Sequence, residues 1–155
     1  MTAQLTLPSK DTQQGAFIVE ALIAFLIFSM GLLGVIGLQA AAINATLDAR
    51  YRSDAAFLAN QIIAQMWADG TTQLASYNCG GACLSTNANP NIRAWVQQIQ
   101  GTAGQPAFLP GVTNAANQPN IVVNGNTVTI TMNWQAPQGQ QITHNYVTQT
   151  EIQFN

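Results

Sequence analysis

Ionic side chains are scarce in this chain of 155 residues. Charged residues make up only 6% of it, whereas ordinary soluble proteins contain about 25%. The net charge of −2 provides no basic surface, so no nucleic-acid binding is predicted. Histidine occurs once, as His144, and the cysteines are Cys79 and Cys83. A metal site or a catalytic cluster would have to be built from very few side chains, so we predict no enzyme, metal or cofactor.

Apolar residues are abundant, at 48%, but they are unevenly distributed. Residues 1–15 are polar, and an apolar run then begins abruptly at Ala16 and carries a single charge, Glu20, as far as Leu38. As a helix this run would span about 34 Å at 1.5 Å per residue. That length is enough to cross a hydrocarbon core of about 30 Å, so the sequence predicts a membrane-spanning helix over residues 16–42.

A secretory signal cut near Ala40-Ala41-Ala42 is an alternative explanation of the apolar run, and it would suit a secreted or anchored enzyme. The run is longer than the usual signal core of about 7–15 residues, however, and no basic region leads into it. Residue Ala16 at the mature N-terminus would support the anchor, and a residue near position 43 would support secretion.

The helix is predicted to continue beyond the apolar run. Apolar residues recur at spacings of three or four through Ile43, Leu47, Tyr51, Ala55, Leu58, Ile62 and Met66. This spacing indicates an amphipathic helix over residues 43–69 that carries a globular domain on one face. Gly70 is suited to end it, so we predict one helix from about Ala16 to about Asp69.

Residues 70–155 are predicted to form the globular head. The loop Gly70–Asn89 holds both cysteines, and Asn89-Pro90 predicts the start of a short helix that ends before Gly101. Period-two alternation and Asn124-Gly125 predict a hairpin of strands Ile121–Val123 and Thr127–Trp134, followed by a third strand within Ile142–Phe154. A long helix laid on an antiparallel meander is an α+β fold.

The boundary between the polar and apolar stretches carries the most specific motif, Gln14-Gly15-Ala16-Phe17-Ile18-Val19-Glu20-Ala21-Leu22. It resembles the processing site of type IV prepilins, in which a hydrophilic leader ends in glycine. The resemblance implies that prepilin peptidase removes residues 1–15, cuts between Gly15 and Ala16, and methylates the new Ala16 amine. Glu20 then becomes the fifth mature residue.

The resemblance extends to Ser29-Met30-Gly31-Leu32-Leu33-Gly34-Val35-Ile36-Gly37-Leu38-Gln39, which is similar to PilV-type minor pilins of bacterial type IV pili. It implies a pilin-like fold, a single-pass inner-membrane anchor with a periplasmic head, and later location in the pilus at the cell surface. The implied partners are major and minor pilins, prepilin peptidase, the inner-membrane assembly platform and the lipid bilayer. A minor pseudopilin of a type II secretion system and an adhesive subunit at a pilus tip remain alternatives.

Glu20 has two interpretations. A carboxylate in an apolar helix costs roughly 2.5–3.5 kcal/mol on insertion scales, and it can lie at headgroup depth beside the positive end of the helix dipole. Alternatively, it pairs with the amino terminus of a neighbouring subunit during assembly. We favour the second interpretation, since Gly15 and Glu20 occur in register.

The glycines Gly31, Gly34 and Gly37 each cost roughly 1 kcal/mol relative to alanine inside a helix. They predict either close helix–helix packing in the membrane or a softened segment that extends when the subunit enters a filament. The residues alone do not separate these two roles.

Cys79-Gly80-Gly81-Ala82-Cys83 is a closely spaced cysteine pair. A redox-enzyme motif would have a spacer of two residues, and a zinc site would need further ligands that the chain lacks. We therefore predict a structural disulfide formed in an oxidising periplasm.

The processing site generates a first prediction. Gly15→Val should leave only the longer precursor in membranes, because it removes the glycine that precedes the implied cleavage point. Gel mobility and the N-terminal mass of the mature chain provide the measurement. Normal maturation of this variant would mean that the site is misassigned.

Overall fold

The computed structural model describes residues 14–136 and 142–153. The first 13 residues of the predicted leader, residues 137–141 between the second and third strands, and Phe154 lie outside the described residues. A long helix, short helices and a three-stranded antiparallel sheet are present, which confirms the predicted α+β fold.

The long helix, α1, runs from Gln14 to Asp69. It begins two residues before the predicted start, because the polar residue and glycine that precede Ala16 are compatible with helical backbone. It ends at the predicted residue. Gly70 follows with φ 83° and ψ 167°, a backbone region that is essentially restricted to glycine. The chain divides into two compact units between Ile43 and Asn44.

Three antiparallel strands form the sheet of the second unit, in the order β1-β2-β3: Asn120–Asn124, Thr127–Gln135 and Thr143–Glu151. Asn124 pairs with Thr127, so the first hairpin has a two-residue turn. Gly125 occupies its first position with φ 60°, the left-handed conformation that such turns require there. The predicted meander is confirmed, although the third strand begins after Ile142 and ends before Ile152.

One face of α1 and one face of the sheet enclose the core of the second unit. Strand β2 contributes alternate buried side chains, Val128, Ile130, Met132 and Trp134, and α1 contributes Ala55, Leu58, Ala59, Ile62 and Met66. Burial of α1 begins later than predicted: Ile43 is 57% exposed, and Tyr51 is half-buried against the core. Ile43 belongs to the first of the two compact units.

The short helix, α2, spans Pro90–Gln100 as the sequence predicts. The side-chain oxygen of Asn89 accepts a hydrogen bond from the Asn91 backbone N–H at 2.9 Å, which caps the helix. Its buried side chains are Ile92, Trp95, Val96 and Ile99. The indole N–H of Trp95 donates to the backbone carbonyl of Leu58 at 2.9 Å, so this buried hydrogen bond joins α2 to α1.

The predicted loop Gly70–Asn89 contains a 3₁₀-helix, Thr71–Tyr77, and a second 3₁₀-helix spans Ala115–Asn117. Leu74 and Tyr77 of the first are buried in the core. Such short helices lack the repeated apolar spacing that identifies an α-helix from sequence. Their positions are therefore determined by the tertiary contacts that they make.

The Trp95–Leu58 hydrogen bond generates a second prediction. Trp95→Phe keeps an aromatic ring but removes the donor and part of the buried surface, so the free energy of unfolding should fall by about 1–3 kcal/mol. Urea denaturation of the detergent-solubilised chain, followed by circular dichroism, measures this change. The exposed Gln97→Ala on the same helix is the control, and equal midpoints for the two variants would contradict the assigned role.

Candidate functional site

The apolar segment between Gly15 and Ile43 is exposed along almost its whole length. Every large apolar side chain from Phe17 to Ile43 has more than half of its surface accessible. An apolar patch of this extent is far larger than ordinary soluble surfaces carry. Such a surface is suited to contact with lipid or with other chains.

Helix α1 is long and apolar enough to cross a membrane, and its most apolar stretch has no residue buried within the chain. Its composition is apolar on all sides in this segment, as in helices that are surrounded by lipid or by other helices. These properties are consistent with a single-pass membrane anchor near the N-terminus.

Gly15 and Ala16 lie in the first turn of α1, and both are exposed. Glu20 follows Ala16 by four residues, so the two lie on the same face of the helix, one turn apart. The Glu20 carboxylate is exposed and has no ion-pair or hydrogen-bond partner within residues 14–136 and 142–153. The structure thus brings Ala16 and Glu20 together and leaves this carboxylate available to a group from outside the chain.

Gly31, Gly34 and Gly37 lie in continuous α-helix without a break. A Cβ atom built on any of them would meet no heavy atom within 4 Å. Packing within the chain therefore does not require glycine at these positions. Both predicted roles, packing against another helix and softening of the helix, concern states that involve other molecules.

Cys79 and Cys83 form a disulfide, with their Cα atoms 5.1 Å apart. Cys83 is fully buried in the core of the second unit, and Cys79 is partly buried against it. The predicted pairing is confirmed, and the bridge is part of the core of the head.

A hydrogen-bonded network at the end of α1 was not anticipated from the sequence. Asp69 Oδ2 accepts hydrogen bonds from the Tyr77 hydroxyl at 2.5 Å and from Asn91 Nδ2 at 2.8 Å, and Oδ1 accepts one from Gln65 at 3.1 Å. The Tyr77 hydrogen bond in particular holds the pKa of Asp69 below its usual value of 3.8. Burial, aided by the hydrogen bond to Asp69, raises the pKa of Tyr77 to about 12. The spacing of i and i+8 gives no helical signal from which this pair could be found.

The single histidine, His144, lies on the edge strand β3. His144 Nδ1 is 3.1 Å from Asp48 Oδ1 on α1, and its ring stacks on Trp134 with centroids 5.8 Å apart. This proximity places the edge of the sheet beside the helix, although Asp48 Oδ1 accepts no hydrogen bond within the described residues. Within the described residues, no group of three or more His, Cys, Asp or Glu side chains could hold a metal ion.

A polar cleft of about 660 Å³ lies beside this network. It is lined by Asp69, Gln73, Ala75, Ser76, Asn78, Asn87, Ala88, Asn89, Pro90 and Asn91. Several of its amides are occupied: Asn89 caps α2 and also donates to Ser76 Oγ at 2.9 Å. Much of the hydrogen-bonding capacity of the cleft therefore supports the local fold.

Comparison of the chain with protein-family models, with curated proteins and with solved structures finds no match.

The Asp69–Tyr77 pair generates a third prediction. A lowered carboxyl pKa contributes stability above the unfolded value that is lost as pH falls through the folded value. Tyr77→Phe removes the main cause of the lowered pKa, so the loss of stability on going from neutral to acid pH should be smaller in the variant than in the parent. A raised phenol pKa contributes stability that is lost as pH rises through it, from about pH 10 to about pH 12 in the parent chain. This alkaline loss should be reduced in the variant.

Urea midpoints measured across the acid and alkaline ranges test both effects. Tyr146→Phe is the matched control, because the hydroxyl of half-buried Tyr146 has no hydrogen bond among the described residues. Identical pH profiles for the parent and Tyr77→Phe would show that the pair does not couple folding to protonation.

Proposed function

We propose that this protein is a minor pilin of the PilV type, a structural subunit that helps to prime or join a type IV pilus. Prepilin peptidase cuts it between Gly15 and Ala16 and methylates the Ala16 amine. The observation that carries the proposal is the register of Gly15, Ala16 and Glu20 at the start of a continuous helix whose apolar side chains are exposed. The α+β layout of the head supports it.

The apolar segment occupies two environments in succession. Before assembly it lies in the inner-membrane bilayer as a single-pass anchor, with the head in the periplasm. In the filament it packs among the helices of other major and minor pilins at the cell surface. Lipid tails are as apolar as leucine, so exchanging one environment for the other provides little hydrophobic driving force. The position of the subunit must then be set by polar groups and by close packing.

Glu20 is the polar group that meets this need. It is the only charged side chain from Gly15 to Ala42, and the described chain offers its carboxylate no partner. The methylated Ala16 amine of a neighbouring subunit is positively charged. Attraction between these groups is strong where the dielectric constant is low, and a charge left unpaired there is costly. The pair therefore selects one register of one subunit against the next.

Two alternatives use the same machinery. A minor pseudopilin of a type II secretion system would share the anchor, the peptidase and the assembly platform, and an adhesive tip subunit would add a ligand-binding surface. Deletion of the gene separates the first alternative, because a pilin deletion reduces filament number whereas a pseudopilin deletion reduces secretion.

The role of Glu20 generates a fourth prediction. Glu20→Val removes the desolvation cost of the carboxylate, so insertion into the membrane should be as good or better. The variant should accumulate processed and folded in the inner membrane but fail to enter filaments or to support their number. Glu20→Asp should be intermediate, because its charge remains while its reach is shorter. The measurement is the subunit content of sheared filaments relative to that of membranes.

Ser29→Ala is the matched control, since it also removes a polar group from the apolar segment. The Ser29 hydroxyl donates to the Phe25 carbonyl at 2.7 Å, so its loss should leave assembly unchanged. Normal incorporation of Glu20→Val would mean that the carboxylate is only a charge at headgroup depth. Incorporation restricted to filament ends would instead place the subunit at the tip, where no neighbour lies ahead of it.

A further inference from the structure

The disulfide loop lies along the outer edge of strand β1. The backbone N–H of Cys79 donates to the Ile121 carbonyl at 3.0 Å, and that of Cys83 donates to the Pro119 carbonyl at 2.7 Å. These two hydrogen bonds occupy acceptors that face away from β2. For this short distance the loop takes the place that a fourth strand would have.

The disulfide sets the spacing that this contact needs. Carbonyl groups two residues apart on one edge of a strand are separated by about 6.8 Å. Cysteines four positions apart in an extended chain could be separated by about 13 Å, but the bridge holds their Cα atoms at 5.1 Å. Gly80, with φ 63°, lets the intervening residues turn outward. The closed loop therefore presents both N–H groups to β1 together.

The 3₁₀-helix Thr71–Tyr77 also lies close to β1, but the strand itself has few features that oppose pairing with a foreign strand. Asn120–Asn124 carries no charge and is rich in β-branched residues, which are features of segments that pair edge to edge. Because the Ile121 carbonyl faces outward, the backbone groups of Val123 also face outward by alternation along the strand. Among the described residues, the outward groups of Val123 have no backbone partner. Pro119 is protective in part, since it has no N–H to donate.

We infer that the Cys79–Cys83 loop is an edge guard, and that without its disulfide β1 becomes a strand-pairing surface for a second copy of this chain. The segment is self-complementary about a two-fold axis centred on Ile121. The N–H and C=O of Ile121 would exchange two hydrogen bonds with Ile121 of the second copy. The Val123 N–H of each copy would donate to the Pro119 carbonyl of the other, which adds two more. This inference concerns the head and does not rest on the filament function.

Formation of the guard is a two-electron oxidation. The thiols of Cys79 and Cys83 lose two electrons and two protons, and their sulfur atoms join. A disulfide-bearing oxidant accepts both the electrons and the protons as it becomes a dithiol. Reduction by a dithiol reverses the step and consumes the bridge. A chain that has not yet been oxidised therefore has an unguarded edge, and oxidation closes it.

The fifth prediction follows for the full chain purified in nonionic detergent. Cys79→Ser/Cys83→Ser should self-associate at least about tenfold more tightly than the parent, as measured by light scattering and analytical ultracentrifugation at several concentrations. A dithiol reductant should produce the same shift in the parent. Adding Val123→Pro to the double variant should restore the parent value, because it removes an outward N–H that the second copy needs. Unchanged association of the double variant would overturn the inference.

Register provides a test that does not depend on Val123→Pro folding well. About the proposed axis, Asn120 of one copy lies beside Val122 of the other as a non-hydrogen-bonded pair, with Cα atoms about 4.5 Å apart. That distance permits a disulfide. In the cysteine-free background, mixed Asn120→Cys and Val122→Cys chains should cross-link to each other more than either does to itself.

Trp95→Phe with the native disulfide intact is the control for loss of stability alone, and it should remain as weakly associated as the parent. Association of this control to the same extent, or cross-linking that ignores the 120–122 register, would show that general exposure of the core causes self-association. Either result would reject the edge-guard role.

Discussion

Burial of one face of α1 between Ala55 and Met66 is the interaction on which the rest of the head depends. Side chains from the first 3₁₀-helix, from α2 and from the sheet all join the same buried cluster. Ionic contacts contribute little beside it: the Arg50–Asp54 pair is separated by 3.7 Å and largely exposed, and such pairs are worth about 0–1 kcal/mol. A fully buried leucine such as Leu58 contributes about 1.5–3 kcal/mol. Apolar packing on this helix therefore organises the head.

The same helix presents two different surfaces along its length. From Ala55 to Met66 one side is buried by the head, whereas from Phe17 to Ile43 all sides are apolar and exposed. None of the most apolar stretch of the helix is buried within the chain, and its length and composition are sufficient to cross a membrane. Glu20 is the one ionic group on this surface.

Amide and hydroxyl side chains make the polar contacts of the head, where most domains also use charged side chains. Asn117 is 3% exposed; its Nδ2 donates to the Gly111 carbonyl at 3.1 Å, and its Oδ1 accepts from the Thr143 hydroxyl at 3.3 Å. Asn89 and Asn91 act similarly around the start of α2. Neutral hydrogen bonds satisfy buried groups without a counter-ion and are not screened by salt. We therefore expect the stability of the head to depend little on ionic strength.

The sequence by itself determined the elements that repeat a pattern over many residues. The long helix and its end at Asp69, the capped helix α2, the hairpin at Gly125 and the disulfide all follow from local spacing, because helices, turns and short closed loops are formed by residues that are near in sequence. The motif at Gly15, Ala16 and Glu20 is local in the same way. Only the tertiary structure decided that Tyr77 meets Asp69, that His144 meets Asp48, and that the cysteine loop covers the edge of β1. Those contacts join elements that are far apart in sequence. Their distances depend on how the elements pack, and the spacing of residues within one element does not determine that packing.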